Sequence, residues 1–127
     1  MYLHTNKLFG SIPEEIGLLT SLNDLKLVIN SLTGPISPSI GNLSNLTFLF
    51  LHHNELSGAI PLKMNNIAHL NSLQLAKNNF IGQVPQEICL GNVLENFSTF
   101  GNHFTGPIPK SLKTVLAYLE LGLKETN

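Results

Sequence analysis

The sequence predicts an α/β repeat solenoid, with a parallel β-sheet on its concave side and irregular or 3-10 structure on its convex side. Three observations carry that prediction. Asn6, Asn30, Asn54, Asn78 and Asn102 recur every 24 residues. Gly10, Gly34, Gly58, Gly82 and Gly106 recur at the same interval. The columns around them are apolar in every copy: Leu8, Leu32, Leu56, Phe80 and Phe104; Ile12, Ile36, Ile60, Val84 and Ile108; Ile16, Ile40, Met64, Ile88 and Leu112. A turn this short cannot bury its own apolar side. It stacks on the next turn, and the inward residues merge into one core.

The clearest copy runs from Leu49 to Ser72. Leu49, Leu51, Asn54 and Leu56 stand in the order L-x-L-x-x-N-x-L, the core of a leucine-rich repeat. Residues 24–28, 48–52, 72–76 and 96–100 are the expected concave strands. The Asn column is expected to turn inward at the strand end and bond backbone groups of adjacent turns. Gly suits a tight bend at positive φ. Pro13, Pro61, Pro85 and Pro109 suit an extended segment whose N–H is not needed. Ser37 breaks that column, with Pro38 one place late. About five turns are expected over residues 1–113.

Composition narrows the function classes. Of 127 residues, 43% are hydrophobic and only 12% charged, too apolar for a disordered chain and enough for one domain. The net charge is -1, and the seven basic residues are all lysines, scattered along the chain. No basic stripe for nucleic acid results. No run approaches the roughly 18–20 apolar residues of a membrane span. Cys89 is the single cysteine, so no internal disulfide forms. It shares a column with Gly17 and Gly41, which reads as a small residue at a half-buried turn.

Taken in order, Met1 falls in the column of Leu25, Leu49, Leu73 and Phe97, so the first copy starts within a strand. It shows neither a preceding cap nor the basic start and apolar run of a secretory signal. The second copy carries the sequons Asn42-Leu43-Ser44 and Asn45-Leu46-Thr47, and Asn96-Phe97-Ser98 is a third. Asn42 and Asn45 lie on the return side, where a sugar would point outward; Asn96 lies on the strand face. The fourth copy places Gly91 where Leu19, Leu43 and Ile67 stand, which predicts a looser turn. Residues 114–127 form a divergent tail. One codon string for Lys113–Asn127, chosen to fit, restores the Leu, Val and Asn columns when read from its third base. A frameshifted or mis-spliced end is therefore favoured over a designed cap. A divergent last strand or short helix through Leu119, Leu121 and Leu123 is the alternative.

The L-x-G-x-I-P insert, as Leu8-Phe9-Gly10-Ser11-Ile12-Pro13 and Leu56-Ser57-Gly58-Ala59-Ile60-Pro61, resembles the extracellular repeats of plant receptor-like kinases and receptor-like proteins. The resemblance covers residues 1–113 and is specific for the plant-type repeat. It implies a membrane-anchored glycoprotein of signal transduction, with this part on the extracellular side of the plasma membrane. It implies a peptide or protein ligand, a co-receptor among the partners, and no cofactor. The sequence has no Gly-rich phosphate loop, no H-R-D and no D-F-G, so no kinase chemistry is expected in it.

Strand alternation selects the binding face. With Leu25 and Leu27 inward, three outward columns follow: Tyr2, Lys26, Phe50, Gln74, Ser98; His4, Val28, His52, Ala76, Phe100; and Thr5, Ile29, His53, Lys77, Gly101. Phe48 faces out beside Phe50. Lys26, Val28, Ile29, Phe48, Phe50, His52, His53, Gln74 and Lys77 are the candidate partner-binding residues. Aromatic groups on an exposed face favour a partner site, although scattered surface apolar residues are normal. His52-His53 lacks a third ligand, which argues against metal; a pH-sensitive contact is the other reading. Glu14-Glu15 reads as a solvated loop on the convex side.

The sequence points to a non-enzymatic recognition module, a fragment of a plant receptor ectodomain. The rivals are a secreted inhibitor-type repeat protein that docks on a foreign enzyme and a nonfunctional truncated gene product. An enzyme is the most distant reading.

Overall fold

A computed structural model describes residues 1–3, 6–85, 87 and 94–107. Ile88, Cys89, Gly91, Ile108, Pro109 and the tail lie outside them, as do His4 and Thr5. The concave sheet holds β2 (Asp24–Lys26), β4 (Phe48–Phe50), β6 (Ser72–Gln74) and β8 (Asn96–Ser98), all parallel. Asp24 lies opposite Phe48, Phe48 opposite Ser72 and Ser72 opposite Asn96, so the sheet register is the sequence period. Tyr2 bridges Lys26 and adds the first turn to the sheet. Each strand ends two residues earlier than the sequence reading placed it.

A second parallel sheet, absent from the sequence reading, follows each Asn. It orders β1 (Phe9–Gly10), β3 (Ser31–Gly34), β5 (Glu55–Gly58), β7 (Asn79–Gln83) and β9 (His103–Thr105). Phe9 pairs with Ser31 and Thr33 with Glu55, so each step is two residues shorter than the repeat. In β3, β5 and β7 one half of the strand therefore pairs backward and the other half forward. β1, β3 and β5 end at Gly10, Gly34 and Gly58, β7 ends one residue past Gly82 and β9 runs up to Gly106; these glycines have φ between 77° and 84°. A Cβ would strain that bend, which accounts for the Gly column.

The convex side is built of 3-10 helices at Glu14–Leu18, Pro38–Asn42 and Leu62–Asn66. Pro13 (φ -69°, ψ 146°) and Pro61 (φ -63°, ψ 136°) stand extended just before two of them. Ser37 takes the same conformation, and its hydroxyl accepts from the Ser39 N–H at 3.2 Å. The break in the Pro column is thus a helix cap, with Pro38 in the first helical turn, where proline's missing N–H costs nothing. Gly17 and Gly41 lie where turns touch backbone to backbone. A Cβ on Gly41 would stand 2.5 Å from the Lys63 carbonyl oxygen.

The core lies between the three walls. Leu25, Leu49, Leu73 and Phe97 are fully buried, as are Leu43 and Leu46. Leu32, Leu56, Phe80 and Phe104 cover them from the second sheet, and Phe80 and Phe104 stack with centroids 6.0 Å apart. Leu8, Ile16 and Leu22 of the first copy are only partly buried, because they pack against a neighbouring turn on one side.

The Asn column ties the walls together. Asn54 Nδ2 donates to Leu27 O of the preceding turn (2.8 Å) and to Leu51 O of its own (3.0 Å). Its Oδ1 accepts from Leu32 N–H of the preceding turn at 3.1 Å. Asn78 repeats this with Leu51 O, Leu75 O and Leu56 N–H. Asn102 repeats it with Leu75 O, Thr99 O and Phe80 N–H. Asn30 bonds Leu3 O, Leu27 O and the N–H groups of Asn6 and Leu8. One buried amide thus satisfies backbone groups that would otherwise be unpaired at the corner of two turns.

Two outcomes are expected in urea unfolding. Asn54→Leu strips partners from buried backbone carbonyls and an N–H at once, and should cost roughly 3 kcal/mol or more. A loss below about 1 kcal/mol would show that the amide is not the tie. Gly41→Ala should cost about 1–3 kcal/mol, because the methyl meets unyielding backbone. Gly10→Ala meets nothing within 4 Å and carries only backbone strain; a greater loss there than at Gly41 would contradict the close approach.

Candidate functional site

The candidate residues lie along the concave sheet and the corner that follows it. Phe48 and Phe50 flank the buried Leu49 in β4, and both are half-buried. Lys26 sits beside Phe50 on β2, and Gln74 on the other side on β6. Val28 and His52 follow, half-buried. Ile29, His53 and Lys77 come next and are exposed.

The third column differs from a strand continuation. Ile29, His53 and Lys77 have φ of 56°, 60° and 56°, and Gly101 takes 74°. The strand has ended, and the chain turns through a left-handed residue just before each Asn. The ladder nevertheless persists: Ile29 N–H reaches His52 O at 3.2 Å, His53 N–H reaches Ala76 O at 3.0 Å and Lys77 N–H reaches Phe100 O at 2.8 Å. A left-handed non-glycine residue costs roughly 1–2 kcal/mol, and β-branched Ile29 is the least suited to it. The Asn bonds and the ladder together hold this geometry. The corner also brings His52 and His53 together, with rings 5.3 Å apart in an edge-to-face pair. Among the described residues, no three His, Cys, Asp or Glu side chains group to hold a metal.

Two positions in the outward columns, and one in the column of Phe48, are buried instead. Ser72, Ala76 and Ser98 are at most 4% exposed. Small side chains on a concave sheet sink beneath larger neighbours; Gln74 Nε2 folds back onto Ser72 Oγ at 3.3 Å, and Phe48 stands opposite Ser72. The face is therefore bulky at the first three turns and shallow over Ser72, Ala76 and Ser98, with the Phe100 ring exposed beyond them.

The rings form a continuous track. Phe48 and Phe50 centroids are 6.1 Å apart, edge to face. Phe50 and His52 are 5.9 Å apart. Lys26 Nζ lies 4.8 Å from the Tyr2 ring centroid, 5.0 Å from that of Phe50 and 5.6 Å from that of Phe48. Tyr2 O–H donates to Asp24 Oδ2 at 2.6 Å, and that bond, with the negative charge of Asp24, raises the phenol pKa. Tyr2 and Asp24 were not among the candidate residues. The column register already set Tyr2 beside Lys26, but not the hydrogen bond that fixes its ring. Burial lowers the His52 pKa below its ordinary value, helped by the charge of His53. His52 Nδ1 is buried and without a hydrogen-bond partner, consistent with a neutral ring.

Asn42 is exposed as the last residue of the second 3-10 helix, Asn45 is exposed between that helix and β4, and Asn96 is exposed on β8. Glu14 and Glu15 are exposed in the first 3-10 helix, away from the concave face. The open depressions elsewhere among the described residues include two on other faces. One, of ≈ 260 Å³, is lined by apolar residues of the first turn, including Leu3, Leu8 and Ile12. The other, of ≈ 610 Å³, runs over the turns at Ile12–Pro13, Pro35–Pro38 and Ile60–Pro61. Neither reaches the ring track, which is an open surface. Among the described residues, no helix is long and apolar enough to cross a membrane.

Comparison with known proteins agrees with this geometry. The Leucine Rich Repeat family model matches residues 45–67. No curated protein sequence matches the chain. Among solved structures, a chain of the BIR3–SERK2 complex from Arabidopsis thaliana superposes with a TM-score of 0.87 at 32% identity, over 98% of this chain and 66% of that one. The BIR2 ectodomain from the same plant gives 0.88 at 31% identity, over 98% and 66%. The plant peptide hormone receptor RGFR1, solved in complex with RGF2, gives 0.87 at 28% identity, over 98% and 20%. This chain spans just under two thirds of the first two and a fifth of the third. The asparagine-tied turns, the two parallel sheets and these likenesses together identify the chain as a solenoid of plant-type leucine-rich repeats, similar to the ectodomains of plant receptor kinases.

Proposed function

We propose that the chain is a non-catalytic recognition module, part of the extracellular ligand-binding domain of a plant leucine-rich repeat receptor-like kinase or receptor-like protein. It binds a peptide or protein on its concave face, through Lys26, Val28, Ile29, Phe48, Phe50, His52, His53, Gln74 and Lys77. The observation that carries this reading is the row of rings Phe48, Phe50, His52 and His53 along one turn, joined through Lys26 to Tyr2 two turns earlier. Its residues stand on paired strands or on a corner held by the Asn amides, so little ordering entropy is lost when a partner docks. Aromatic bodies with polar ends are the usual composition of binding hot spots. The complexes of the peptide hormone receptor RGFR1 with RGF2 and of BIR3 with SERK2 support a peptide or protein as the partner. Fold alone does not fix function, and the secreted inhibitor would use the same face. Asn42, Asn45 and Asn96 are proposed glycan sites on the secretory route.

The test is selection of a displayed library of random peptides on the wild-type chain, followed by calorimetry with the enriched peptides. Phe50→Ala should weaken binding by about 1–2 kcal/mol or more, and Glu14→Ala on the convex side should change it little. Unchanged binding in Phe50→Ala with lost binding in Glu14→Ala would move the site to the other face.

A pH dependence follows from His52. Its pKa in the folded chain lies below 6.5, so the unfolded chain takes up the proton first as the solution is acidified. Stability should be complete above about pH 6.5, the unfolded histidine value, and decline below it until the folded ring protonates. Urea midpoints measured between pH 8 and 5 should fall less in His52→Gln than in wild type. An equal fall in both would assign the loss to other groups.

A further inference from the structure

The ring track has a charged centre. Lys26 Nζ lies among three aromatic rings, 4.8 Å from Tyr2, 5.0 Å from Phe50 and 5.6 Å from Phe48. These contacts attract the ammonium to ring faces, but a ring face fills none of its three N–H donors with a strong acceptor. The nearby carboxylate in the same strand, Asp24, accepts from Tyr2 O–H. No carboxylate among the described residues forms an ion pair with Lys26. The structure thus holds a half-buried cation in place by aromatic packing, with unused donors, on the face proposed for binding.

We propose that Lys26 anchors a carboxylate side chain of an extended acidic peptide lying across β2 and β4, with the neighbouring apolar residue of that peptide on Phe50 and His52. This rests on the concave-face reading and adds the chemistry of its ligand. Charge complementarity selects the occupant. A cationic group at the same rings would be repelled by Lys26, whereas a carboxylate gains attraction strengthened by the low-dielectric ring walls. It also fills donors that the protein leaves open. The anchor is pre-set, because Tyr2 is fixed by Asp24 and Phe50 by strand pairing on both sides. An acidic residue followed by an apolar one matches the order of cation and rings along the track.

The probe is the displayed random peptide library, selected on the wild-type chain. Enriched peptides whose binding depends on Phe50 should carry Asp or Glu beside an apolar residue. Lys26→Gln should weaken them about tenfold. Lys26→Glu should weaken them further and restore binding to peptides in which the acidic residue is changed to Lys. Wild-type affinity for the acidic peptides should fall as salt rises from 50 to 500 mM, a measurement that does not depend on any variant folding. Phe50-dependent peptides that lack an acidic residue, or that ignore salt and both Lys26 variants, would overturn this inference and leave the concave-face reading standing. Peptides that ignore Phe50→Ala, or a library that yields no binder, would overturn both.

Discussion

The corner amide is the constraint on which the other features depend. A solenoid must turn its chain sharply after every strand, and each turn leaves carbonyls and N–H groups inside. An apolar side chain there would leave them unpaired, at a cost of about 1–3 kcal/mol each. Asn supplies two donors and an acceptor on a short stem, and the structure uses both ends. Nδ2 reaches carbonyls of its own and the preceding turn, while Oδ1 takes an N–H from the start of the preceding second-sheet strand. The amide therefore ties each turn to the one before it at the corner between the two sheets.

That tie explains how strain is tolerated. Ile29, His53 and Lys77 adopt the left-handed conformation that side chains other than glycine avoid. The ladder bonds on either side of them require it. Where glycine does occur at this corner, at Gly101, a Cβ would stand only 3.1 Å from the Lys77 side chain and backbone nitrogen. The strained residues are exposed and sit at the edge of the ring track, so the corner that closes each turn also presents part of the binding face.

The concave face is uneven because the sequence is uneven there. Inward positions repeat, since every turn must fill the same core. Outward positions carry no such requirement, and Lys26, Phe50, Gln74 and Ser98 share one column without sharing chemistry. The bulk gathers at the first three turns, where Tyr2, Lys26, Phe48 and Phe50 interlock, and falls away where Ser72, Ala76 and Ser98 sink beneath their neighbours. Repetition builds the platform and its exceptions build the site.

The sequence by itself determined the repeat length, the inward columns, the concave register and the Asn and Gly roles. Each of these is a periodic requirement, and a period is visible without coordinates. It also placed Tyr2, Lys26 and Phe50 side by side, because register alone sets strand neighbours. The second sheet was not legible. Its steps are two residues shorter than the repeat, and its staggered pairing depends on how adjacent turns lean rather than on any one pattern of residues. The end of each strand at Lys26, Phe50 and Gln74 was likewise hidden, since the left-handed corner imposes itself on Ile, His and Lys alike. Only the tertiary structure showed Ser72 and Ala76 covered and Lys26 enclosed by rings. Burial on a curved face is set by the size of neighbours in adjacent turns, and an enclosed charge is a property of three side chains in space.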